Sequence, residues 1–139
     1  MRTLLLCLLL AAAACQTKRP QPVDIEAADM CALCRMAVSE KPFAAEVIDA
    51  EEAVYKFDDI GCMLDFLRQG NRKDKAVARF VMDYEAQTWI EAEQAHYVKS
   101  HEIRSPMASG LIALRNRSAA ERHAAKFKGQ LLSWADLGK

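Results

Sequence analysis

Cys31 and Cys34 are separated by two residues and Met36 lies two positions further on, so "CALCRM" offers two thiols and a thioether in one short run. A tight turn at Ala32 and Leu33 can aim both thiols at one point, with Met36 closing a trigonal sulfur site. Thiolate and thioether donors together favour a soft cation such as Cu(I); zinc makes little use of thioether sulfur and normally takes four ligands. Three other readings of the C-x-x-C pair stay open. One is a structural disulfide between Cys31 and Cys34, which suits an oxidising compartment. Another is a thioredoxin-like redox pair, which needs the motif at the start of a helix after a buried strand; here a proline-bearing stretch precedes it. The third is zinc, whose ribbon sites use a second C-x-x-C that this chain lacks.

Other sulfur and imidazole groups are weighed against plain packing. Met30, just before Cys31, points away from a turn built on Cys31 and Cys34, and is assigned to hydrophobic packing. Cys62 and Met63 fall in the first turn of a helix, Met63 on its apolar stripe, and both are assigned to the core. His96, His101 and His123 are scattered and read as surface residues, with a role for His101 left open. "SPM" (105–107) reads as a rigid turn before a strand, from which an exposed Met107 can approach the cysteines. There is no G-x-S-x-G, H-E-x-x-H or P-loop, and no bond-breaking chemistry is indicated, so an enzyme is not expected.

The N-terminus sets the compartment. "MRTLLLCLLLAAAAC" has one basic residue, an apolar run of about ten residues where about 20 are needed to span a bilayer, and small residues ending on Cys15. Residues 1–14 read as a lipoprotein signal, removed to leave Cys15 as a lipidated N-terminus. Residues 15–28, with Pro20 and Pro22, read as an extended tether. The 139 residues are 52% hydrophobic and 27% charged, enough for one core, assigned to 29–139. Basic and acidic residues number 19 each, with no basic block, which gives no electrostatic case for nucleic acid. Cys31, Cys34 and Cys62 remain after maturation. Three thiols cannot all pair within one chain.

The elements that must position these groups follow from pattern. Residues 42–49 and 53–59 are β-prone around an acidic turn and predict a hairpin, with Tyr55 and Phe57 on one face and Val54 and Lys56 on the other. Asp58 or Asp59 can cap a helix whose Ile60, Met63, Leu64 and Leu67 share one face, stopped at Gly70. Residues 78–84 and 88–92 predict two strands, 95–100 is left open, and 110–116 predicts another strand. Ser118 and Glu121 form a capping-box pattern for a helix to Lys128, closed at Gly129, before a last strand at 130–134. Strand-to-capped-helix order occurs twice. This predicts an α+β single domain of two similar β-β-α-β units, mainly antiparallel sheet with helices packed on one side.

A lipoprotein signal, "MCALCRMAV", "YKFDDIGCMLDFL", "FVMDYEAQTWIEAEQAHYV" and "SPMASGLIAL", in that order, resemble the NosL family. The resemblance implies a membrane-anchored Cu(I) chaperone for the copper sites of nitrous oxide reductase, working with an associated ABC-type membrane complex. It places the protein on the periplasmic side of the bacterial envelope, anchored to the outer membrane. It also implies Cys31, Cys34, Met36 and Met107 as the copper ligands. The alternatives within that pathway are a thiol-disulfide oxidoreductase and an assembly adaptor that binds no metal. One departure stands out: the family commonly has glycine where this chain has Arg35, so a turn needing φ > 0 there would be strained.

Overall fold

The computed structural model describes residues 19–138; the expected signal 1–14 and lipid acceptor Cys15 lie outside them. The expected hairpin forms from β1 (Ala45–Asp49) and β2 (Val54–Phe57), antiparallel with Val47 opposite Tyr55. It leads into α1 (Ile60–Arg68), a single turn α2 (Arg72–Lys75), β3 (Ala76–Met82) and β4 (Trp89–Glu91). The second half runs β5 (His96–Lys99), β6 (Leu111–Leu114), α3 (Arg117–Lys126), β7 (Gln130–Leu132) and α4 (Trp134–Leu137). The sheet orders are β2-β1-β3-β4 and β6-β5-β7, with all pairings between strands antiparallel. Each half is thus a β-β-α-β unit whose first strand is central and flanked by the other two, and β4 is an addition to the first. The segment left open at 95–100 is the central strand of the second unit.

Asp83 sews the two units together. Its Oδ1 accepts the N–H groups of Glu85 and Ala86 to make the β3–β4 turn, while Oδ2 accepts the Arg115 N–H at 2.8 Å from the other unit. A parallel bridge from Asp83 to Ala113 extends the seam. β6 is buried along its whole length because its two faces meet different cores. Leu111 and Ala113 join the cluster built on α1 and the first sheet, whereas Ile112 and Leu114 pack with Val98, Ala119 and Ala120 under α3. The expected stripe of α1 is buried, and Phe66 packs on Tyr55 and Phe57 with ring centroids 4.9 and 5.1 Å apart.

Three local expectations change. α3 begins at Arg117 after an Asn116 N-cap with no side-chain bond, so Ser118 lies inside the helix. Glu121, the other half of the expected capping box, is taken by Arg117 at 2.9 Å. The helix ends with Lys128, φ 48°, as its left-handed residue, one place before Gly129. The capping box occurs instead in α4, where Ser133 and Asp136 bond reciprocally, so the last strand stops at Leu132.

The tether expected over 15–28 is docked well before its end. Ile25 is buried in the core, Glu46 on β1 accepts the Val23 N–H at 3.0 Å, and Lys56 Nζ holds the Asp24 carbonyl and Asp29 carboxylate, each at 2.6 Å. Glu46 and Lys56 are direct cross-strand partners on the face that this strap covers. Burial pushes the Glu46 carboxyl up to about 7, against the opposing pull of the Val23 N–H and the Lys56 charge. The folded chain therefore holds this proton more tightly than the unfolded one. The resulting stability is complete below the ordinary carboxylate range and is lost as pH rises through 7. Urea denaturation should show the fold losing about 3 kcal/mol to this group between about pH 5 and 8. Glu46→Gln, neutral throughout, should remove that part of the profile.

Candidate metal centre

The turn carrying C-x-x-C is built by its backbone. Met30 and Ala37 form an antiparallel bridge, the Cys31 N–H donates to the Met36 carbonyl at 2.8 Å, and the Arg35 N–H donates to the Cys31 carbonyl at 3.1 Å. The turn is fixed to the outer edge of β2 by the Ala32 N–H, which donates to the Lys56 carbonyl at 2.8 Å. It does require the left-handed region, and Arg35 occupies it at φ 67°. A side chain there costs about 1 kcal/mol relative to glycine. Arg35→Gly should accordingly stabilise the metal-free protein by up to about 1 kcal/mol in thermal denaturation, with metal stoichiometry unchanged.

The strain does not keep Cys34 from the site. One ligand atom each from Cys31, Cys34, Cys62 and Asp58 all lie within 4.8 Å of one another. Cys31 and Cys34 come from the turn. Asp58 precedes the N-cap of α1 and Cys62 follows in its first turn. Cys31, Asp58 and Cys62 are buried and Cys34 is half-buried, so one thiol opens the cluster toward solvent. The Cys34 thiol faces both oxygens of the buried Asp58 carboxylate, at 3.5 and 3.6 Å. All three cysteines are free thiols. Burial pushes the Cys62 thiol far up, reinforced by Cys31 and Asp58; burial likewise raises Cys34, despite the Met36 backbone bond that lowers it.

The sequence reading placed Cys62 in the core, and it is buried there, but its sulfur also completes the cluster. No local pattern separates these two roles for a cysteine at a helix start. Met30 is corrected: it is 52% exposed and packs no core. Met36 and Met107, at 57% and 43% exposed, stand at the surface, and Met107 is tied by its backbone N–H to Asp59, the N-cap of α1. No histidine belongs to the cluster; His101 is exposed beside an open cleft with Lys99, Arg104 and Lys128. The C-x-x-C pair sits in a turn and not at a helix N-terminus, so the dipole that lowers a thioredoxin thiol is missing. A second C-x-x-C is missing too, yet Asp58 and Cys62 bring the cluster to four groups of ligand type.

Fold and site together define a class: a duplicated β-β-α-β protein with a thiol-rich cluster where a surface turn meets a helix start. A sequence model of the NosL family matches residues 22–139, and the chain belongs to that family. The copper chaperone NosL from Shewanella denitrificans has a similar crystal structure, with a TM-score of 0.77 at 20% identity over 84% of this chain and 94% of that one. No curated protein matches the sequence.

Proposed function

We propose that this chain is a Cu(I) chaperone that holds one ion at the thiol cluster and passes it to a partner's copper site. The observation that carries the reading is the convergence of three thiols and a carboxylate within 4.8 Å, closed on the protein side and open at Cys34. Soft sulfur donors fit Cu(I), and the donor set suits capture and release. Cys31, Cys34 and Cys62 bind the ion, and the exposed thioethers of Met36 and Met107 complete the shell on the solvent side. A partner's thiol or thioether enters from that side and displaces them, with no organic bond broken. Family membership supports delivery to nitrous oxide reductase through its associated ABC-type membrane complex. Among the described residues no helix is long and apolar enough to cross a membrane. Attachment to the envelope is assigned to lipid on Cys15, on the periplasmic face.

Titration of the reduced mature chain with Cu(I) against a competing chelator, with stoichiometry by native mass spectrometry, tests the reading. One tightly held Cu(I) is expected; uptake of zinc in preference would overturn it. Met36→Leu combined with Met107→Leu should weaken Cu(I) by about 30-fold and leave thiol-disulfide exchange unchanged, which separates a chaperone from an oxidoreductase. Unchanged affinity in that double variant would remove the thioethers from the site.

A further inference from the structure

Asp58 and Asp59 stand next to each other at the entrance to α1 and hold different segments. Asp58 faces Cys34 in the 31–36 turn. Asp59, with none of its surface exposed, accepts the Gly61 N–H on Oδ1 at 2.7 Å and the Met107 N–H on Oδ2 at 2.9 Å. The first bond is ordinary helix capping, for which an exposed side chain suffices. The second is not: a fully buried carboxylate spends its other oxygen on a loop far along the chain. That loop is thereby fastened to the helical turn that carries Cys62.

The seat is shaped for the loop. A Cβ at Gly61 would lie 2.6 Å from the Cβ of Ser109, too close for any side chain without moving the loop away. The loop is also braced from within. Ser105 and Ser109 hydroxyls are 3.2 Å apart, the Gly110 N–H donates to Ser105 Oγ at 3.1 Å, and Ala108 is held at φ 57°. A left-handed alanine persists only where its surroundings over-determine it.

We propose that Asp59, with Gly61 as its seat, is a positioning residue that sets the Met107 thioether at the mouth of the thiol cluster. This rests on the copper-binding reading above. Asp59→Asn keeps the size of the side chain but leaves one acceptor oxygen for two N–H groups. Gly61→Ala keeps the carboxylate and lifts the loop. Cu(I) competition titrations of the full mature chain should show Met107→Leu, Asp59→Asn and Gly61→Ala each weakening affinity about tenfold, the scale at which supporting partners of a ligand act. If Asp59 and Gly61 act through Met107, adding Met107→Leu to either variant should change affinity by no more than about twofold. X-ray absorption of copper-loaded Asp59→Asn should show one sulfur neighbour fewer, as in Met107→Leu.

Losses that multiply to about 100-fold in the double variants would overturn the clamp and leave the chaperone reading standing. So would wild-type affinity in Gly61→Ala beside a weakened Met107→Leu, and Gly61→Ala carries the test if Asp59→Asn does not fold. Full affinity in Met107→Leu itself would overturn both the clamp and the thioether ligand. Absence of Cu(I) binding in the unsubstituted protein would overturn the functional reading.

Discussion

Cys62→Ala is expected to weaken Cu(I) binding by at least about 100-fold, the loss that follows when a thiolate is removed from a soft-metal site. The substitution is informative because a purely structural Cys62 makes the opposite prediction. Burial of the residue in the core formed by α1 and the first sheet means that alanine there removes one sulfur's worth of packing. That costs about 1 kcal/mol in stability and nothing in metal affinity once the chain is folded. Thermal denaturation of the metal-free variant and chelator competition on the folded variant separate the two roles. A small drop in melting temperature with intact affinity would return Cys62 to the core alone.

The second large effect is the pH dependence of metal uptake. Cys34 and Cys62 have thiols raised by burial, with the neighbouring Cys31 and the Asp58 carboxylate adding to the shift. They are therefore protonated at neutral pH, and binding must expel a proton for each thiolate that the ion takes. Lower pH opposes that release, so affinity falls as pH falls. With two protons released it changes about 100-fold per pH unit, and with three about 1000-fold, as long as pH stays below the thiol range. Competition titrations at about pH 6, 7 and 8, with proton release followed directly in weak buffer, give the number of thiols used. A flat profile would mean that thioethers hold the ion without the cysteines.

Much of the fold was legible because its signals are local. The α1 stripe, the β1–β2 hairpin and the repeated strand-to-helix order depend on period and turn residues, and each formed where pattern placed it, except that the hairpin's expected start at 42–43 is a 3-10 turn ahead of β1. What was missed depends on contacts between distant segments. β5 is short and lies between β6 and β7, so its pairing, not its own composition, makes it a strand. Glu121 matched a capping box, but an arginine four residues back in the helix claimed its carboxylate. At the site, Arg35 was correctly read as strained because φ > 0 is a property of one residue. Cys62 was harder, since a buried cysteine in a helix has the same sequence signature whether it packs or ligates. Only the meeting of the 31–36 turn with the α1 N-terminus distinguishes the two, and nothing local encodes that meeting. Exposure of Met30 was likewise unreadable from its apolar type.

The docked strap also sets a working radius. Under the lipid anchoring proposed at Cys15, with Val23 fastened to Glu46, about eight residues of chain would separate membrane and domain. At about 3.5 Å per residue they reach at most about 28 Å, roughly three-fifths of the about 45 Å that a free run to residue 28 would allow. Asp29, next to the metal turn, is itself pinned by Lys56. Under that proposed anchoring, a leash so short would hold the strap, and the metal turn that Lys56 ties to it, close to the lipid surface, so the proposed recipient would have to bring its copper site down to the bilayer.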